Sequence, residues 1–97
     1  MGSEASGPTA DEQSAGTDLG ETAATFSLLS DETRVRIVRA LADAPDGLRF
    51  SELRSRADVR DAGRFNYHLE KLCGRLVEKS GETYVLTAAG ADVADLL

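Results

Sequence analysis

The chain has 97 residues, 41% of them apolar, a net charge of −6 and one cysteine. This length holds one small domain, the lone Cys73 excludes an internal disulfide and fits a reducing, cytoplasmic setting, and no apolar run reaches the ~20 residues of a membrane span. The N-terminus carries neither the basic start nor the apolar stretch of a secretory leader. Met1-Gly2-Ser3-Glu4-Ala5-Ser6 fits the loose N-myristoylation pattern, but nothing near it supports membrane attachment.

An acidic chain looks unsuited to nucleic acid until its charge is divided. Residues 1–21 hold five acids and no base, residues 22–53 come to −1, residues 54–79 to +3 and residues 80–97 to −3. The basic excess is confined to one third of the chain. Nine Arg stand against two Lys among 17 acids, the balance of a protein kept soluble in high salt, so a halophilic source is expected.

Residues 1–17 are small, polar and acidic with Pro8 and no large apolar side chain, which predicts a disordered acidic tail, with the domain at 18–97. Asp18 and Glu21 resemble a capping box opening a short helix whose buried side is Ala23, Phe26 and Leu29. Ser30-Asp31 interrupts it and caps a second helix at about 31–43. Ile37, Val38 and Leu41 form its apolar stripe, with the Arg34 stem packed on the same stripe and its head reaching a carboxylate or the surface. Glu32 with Arg36, and Arg39 with Asp43, are spaced as surface ion pairs.

Asp43-Ala44-Pro45-Asp46-Gly47 is a turn, and Leu48-Arg49-Phe50 has room for a single edge strand. Ser51 caps a third helix, Glu52 to Ala57, anchored by Leu53 and Ala57. Asp58-Val59-Arg60-Asp61 is a tight connector. Asp61 then caps a fourth helix, about 61–75, on which Phe65, Leu69, Leu72 and Leu76 recur at helical spacing. Its other faces carry Arg64, Asn66, Tyr67, His68, Lys71 and Arg75, donors and stacking groups of the kind that lie in a DNA groove. Two β-prone runs about Ser80-Gly81-Glu82 read as a hairpin. Thr87 caps a last helix through Asp95, with Ala91, Val93, Ala94, Leu96 and Leu97 as apolar surface.

The order is helix, helix, short strand, helix, helix, hairpin, helix: a mainly α chain with a small β-hairpin, an α+β class. A short helix, a four-residue turn and a longer helix followed at once by a hairpin make a winged helix-turn-helix. Three motifs carry a resemblance: Leu29-Ser30-Asp31-Glu32-Thr33-Arg34-Val35-Arg36-Ile37, the His68-Leu69-x-x-Leu72 pattern, and Leu86-Thr87-Ala88-Ala89-Gly90 after the hairpin. On these, residues 26–90 resemble the DNA-binding domain of ArsR-type winged-helix transcription regulators. Gly63-Arg64-Phe65-Asn66-Tyr67-His68-Leu69 is similar to the form found in haloarchaeal members.

The resemblance implies a regulator that reads double-stranded operator DNA as part of a homodimer, with contacts from the first and last helices. Here those would be Ala23, Phe26, Val93, Leu96 and Leu97, for which packing on the domain's own core is the alternative. Arg64 can be bidentate to a guanine edge or bind phosphate; Asn66 can pair with adenine; Tyr67 can meet a thymine methyl or a phosphate, or be buried under the wing. Arg54, Arg56 and Arg60 are placed as phosphate contacts, which position without specifying. His68 is a phosphate contact or a packing partner, Lys71 and Arg75 lie further along the helix, and Lys79 is the one cation of a weak wing. There is no Cys-x-Cys pair, and Cys73 with His68 falls short of the three or four ligands of a metal site. Paired carboxylates, a Gly-rich phosphate loop and an activated nucleophile are also missing, so no enzyme and no cofactor is expected. The rival reading is a winged helix used as a protein-interaction module.

Overall fold

The computed structural model of the protein describes residues 23–97. The expected acidic tail, the myristoylation-like start and the Asp18/Glu21 cap lie outside them. Among the described residues the chain forms five helices and a two-stranded antiparallel hairpin, an α+β arrangement.

Residues 23–28 are helical (α1), closed by the Leu29 N–H on the Thr25 carbonyl at 3.0 Å. Leu28 and Leu29 pack on the core, whereas Ala23 faces outward and Phe26 is 69% exposed. Of the expected inward trio, Leu29 does face the core, while Ala23 and Phe26 do not. So short a helix docks through its last turn, and Phe26 is left on the outside.

Helix α2 (Glu32–Ala42) starts where Asp31 Oδ1 accepts from the Thr33 N–H at 2.7 Å, satisfying one of the donors that a helix start leaves open. Ile37, Val38 and Leu41 are buried as their spacing predicts, and Thr33 joins them. Glu32 and Arg36 pair at 2.6 Å. Arg39 and Asp43 form no such pair among the described residues.

In the turn that follows, Gly47 has φ +92°, and a Cβ there would crowd Thr83 and Val85, so this position needs glycine. Leu48 then exchanges two backbone hydrogen bonds with Tyr84, at 3.1 and 2.8 Å. The expected strand at 48–50 shrinks to this one bridge. The Arg49 N–H turns to Glu52 Oε1 at 2.9 Å, and α3 (Phe50–Ala57) begins two residues before the expected Glu52. Phe50 is drawn inward by Phe65, edge to face with ring centroids 5.0 Å apart.

Helix α4 (Ala62–Leu72) is capped by Asp61, whose Oδ1 accepts from the Arg64 N–H at 3.0 Å. It ends three residues short of the expected Arg75. Cys73 is extended, Gly74 takes φ +85°, and the Gly74 N–H turns to the Val77 carbonyl at 2.8 Å. Leu76 is nevertheless buried, held by its N–H on the Leu72 carbonyl at 3.0 Å.

Strands β1 (Val77–Ser80) and β2 (Thr83–Leu86) pair from Val77 with Leu86 to Ser80 with Thr83. Gly81 supplies the positive φ, +64°, that so tight a connection requires. The last helix, α5 (Ala88–Ala94), is capped by Thr87. Thr87 Oγ1 accepts from the Gly90 N–H at 3.0 Å and donates to the Arg75 carbonyl at 2.8 Å, while the Thr87 N–H donates to the Leu76 carbonyl at 3.0 Å. Gly90 is buried against that carbonyl, and a Cβ built there would overlap the Leu76 oxygen. Val93 and Ala94 pack on the core; Leu96 is 86% exposed.

Because the obstruction at Gly90 is backbone and not a flexible side chain, Gly90→Ala is expected to cost about 3 kcal/mol despite the better helix propensity of alanine. Ala89→Gly one residue earlier is expected to cost about 1 kcal/mol by propensity alone. Urea unfolding of both variants checks the order; a Gly90→Ala protein as stable as the parent would rule out the close approach.

Candidate nucleic-acid interface

Phe65, Leu69 and Leu72 bury one side of α4, which leaves Arg64, Asn66, Tyr67, Glu70 and Lys71 on the exposed side. The turn from α3 fixes how that side is presented. Asp58 takes the left-handed conformation, φ 59°, and its N–H closes the end of α3. Arg54 Nη1 then donates to the Arg60 carbonyl at 2.6 Å and the Val59 carbonyl at 3.3 Å. Its Nε is buried and has no hydrogen-bond partner among the described residues. Arg54, expected to touch phosphate, is occupied in clamping the turn.

His68 is 6% exposed and lies inside the domain, so packing partner is the alternative its geometry supports. Arg34 Nε donates to its Nδ1 at 3.1 Å, and Asp31 Oδ2 lies 3.9 Å from its Nε2. Arg34, expected to reach a carboxylate or the surface, instead joins this imidazole to the end of α1, where its Nη1 donates to the Leu28 carbonyl at 3.4 Å. Burial pushes the His68 pKa down from 6.5; Asp31 opposes this, and Arg34 and Arg64 add to it. The Asp31 carboxyl is held below 3.8, chiefly by the Thr33 backbone N–H. Cys73 is half-buried, and burial pushes its thiol up, away from reactive thiolate.

The remaining expected residues fall into separate groups. Arg60 and Arg64 line a cleft of about 440 Å³ with Arg36, where Asp31, Glu32, Asp58 and Asp61 face them. Tyr67, 54% exposed and so not covered by the hairpin, shares a groove with Lys71, Arg34 and Arg75 between α1 and α4. Lys71 Nζ lies 5.4 Å from the Tyr67 ring centre. Arg56 is set apart beside α2, with Arg36 and Arg39. On the hairpin, Lys79 Nζ lies 5.7 Å from the Tyr84 ring centre, and Glu82 pairs with Arg49 at 3.3 Å. Sequence reasoning passed over Glu70, whose Oε2 accepts from Asn66 Nδ2 at 3.3 Å and places an acid on the exposed side of α4. Their i, i+4 spacing was the available signal. Of the dimer candidates, Ala23, Phe26, Leu96 and Leu97 are exposed and Val93 is half-buried on the core. Among the described residues no three His, Cys, Asp or Glu side chains gather as a metal site, and no helix is long and apolar enough to cross a membrane.

Two variants separate the structural roles. Below about pH 6.5 the unfolded chain takes up a proton at His68 that the folded chain resists. Stability is therefore full above that pH and falls as the pH drops toward the folded value. His68→Asn keeps an acceptor for Arg34 Nε without the titration, so its unfolding midpoint should stay flat through this window. A parent that is equally flat would exclude the imidazole as the cause. Arg54→Gln should lower stability by about 1–2 kcal/mol through loss of the carbonyl clamp; an unchanged thermal midpoint would return Arg54 to the surface set.

No curated protein and no solved structure matches the chain. A family model does: residues 22–97 match the family described as a domain of unknown function, DUF7347. Its span takes in α1 to α5 with the hairpin, the Arg34–His68 contact and the exposed side of α4, and the chain belongs to this family.

Proposed function

We propose that the protein is a DNA-binding transcription regulator with a winged helix-turn-helix domain of ArsR-like type. In this reading α3 and α4 are the helix-turn-helix, α4 enters the major groove, and β1 and β2 form the wing. The observation that carries it is α4 itself, buried on one side and presenting Arg64, Asn66, Tyr67 and Lys71 on the other from a clamped turn. The basic excess of residues 54–79 supports it.

Arg64 in the first turn reads a guanine edge, and Asn66 reaches adenine by exchanging its hydrogen bond to Glu70. Tyr67, Lys71 and Arg60 hold phosphate and set the register. Arg54 positions the turn, and His68 holds α4 to α1 and α2. Lys79 contributes little, since the hairpin tip also carries Glu82. The protein works in the cytoplasm as a homodimer through the exposed Phe26, Leu96 and Leu97 with Ala23, so its operator has two half-sites spaced by the helical repeat. A salty interior fits the Arg-rich, acidic composition and places more of the specificity on base contacts, because phosphate binding weakens steeply with salt.

The second reading, a winged helix that binds protein, is favoured by Glu70 on the exposed side of α4. Binding to bulk duplex across a salt series separates the two: a regulator loses affinity steeply as salt rises, whereas a flat response favours the interaction module. Selection from random duplex DNA should return a paired motif. On that motif, Arg64→Ala should remove about 1–3 kcal/mol of discrimination, and Lys79→Ala should weaken cognate and scrambled DNA alike. Equal losses from both variants on both DNAs would refute base reading by Arg64.

A further inference from the structure

We propose that the groove between α1 and α4 is a binding site for a phosphate ester. The groove, about 450 Å³, is lined by Ser27 and Leu28 of α1, Arg34 of α2, Tyr67 and Lys71 of α4, and Arg75 just beyond. Arg34, Lys71 and Arg75 line it together, and among the described residues no carboxylate does. The neighbouring cleft shows the contrast: its three arginines are matched by four acids. Arg34, Lys71 and Arg75 have no ion-pair partner among the described residues. Cations that share one groove repel one another, and an oxyanion relieves that repulsion.

The groove is also partly preorganised. Arg34 is fixed through Nε on His68 and Nη1 on the Leu28 carbonyl, which leaves Nη2 without a hydrogen bond among the described residues. A guanidinium held in this way loses little freedom when it binds an oxyanion. Lys71 rests beside the Tyr67 ring, and Ser27 adds a hydroxyl. Leu28 and the exposed Tyr67 ring offer apolar and stacking surface to an attached sugar or base, so the groove suits the organic part of an ester as well as the phosphate group that pyrophosphate probes. The ester is either a backbone phosphate of DNA, which would extend the footprint of α4 onto α1, or a free nucleotide-like molecule that binds beside the reading helix.

The site is tested by titrating the full chain at low salt with inorganic pyrophosphate, following backbone amide and Arg Nε resonances. Saturable shifts are expected at Ser27, Arg34, Lys71 and Arg75, and sodium chloride of equal ionic strength should not reproduce them. Arg75→Gln, at an exposed position, should weaken pyrophosphate about tenfold, the loss of one charge-assisted hydrogen bond, and Lys71→Gln should do the same. Absence of saturation, or parental affinity in both variants, would overturn the proposal. A short duplex added to the loaded protein identifies the source: displacement of pyrophosphate marks the DNA backbone, and simultaneous binding marks a free ester. A duplex that fails to bind at all would sink the regulator reading, while the pyrophosphate titration would still decide the groove.

Discussion

One apolar stripe, Ile37, Val38 and Leu41 of α2, is the surface against which α3, α4, α5 and β2 are all laid. Each such side chain contributes about 1.5–3 kcal/mol when taken out of water, and a domain of this size has few of them. The burial of Phe65, Leu69 and Leu72 serves the same core. Because α4 must turn those three residues inward, its polar residues have only the outer side left to them. The exposed side of α4 is therefore a consequence of core formation, before any ligand is considered.

A second constraint comes from the shortness of the elements. Short helices and tight turns leave many carbonyls without partners, and here long or branched polar side chains supply them. Arg54 donates to Val59 and Arg60, Arg34 to Leu28, and Thr87 to Arg75. Each ties a helix or its cap to backbone outside that helix. Polar residues in this domain thus divide into those consumed by the backbone and those left for a ligand. That division decides which cations can belong to an interface.

The periodicity of α2 and α4, the Asp31, Asp61 and Thr87 caps, and the hairpin about Gly81 were legible in the sequence, because each rests on contacts within a few residues. The end of α4 was not: the Phe65-Leu69-Leu72 spacing runs on to Leu76, and only Gly74 marks the break. Leu48-Arg49-Phe50 looked like a strand because it is apolar on one side, but the Glu52 cap on Arg49 and the Phe65 ring draw Phe50 into α3. The candidate interface was legible as a polar helix face and illegible in its details. Arg54 and His68 are indistinguishable by type from surface groups. What engages them is a turn that takes up the Arg54 head in one case and, in the other, Arg34 reaching the buried His68 from 34 residues away. No local pattern encodes that contact.

Arg34 divides one guanidinium between the last turn of α1 and the buried imidazole of α4. Fraying at the edge of a domain is ordinarily a local event with no consequence for distant helices. Here the loss of α1 would remove the Leu28 carbonyl, one of the two acceptors that fix the Arg34 head, and leave that head held by His68 alone. An edge helix and a buried imidazole thus share one side chain, and a change at either end meets the other through Arg34.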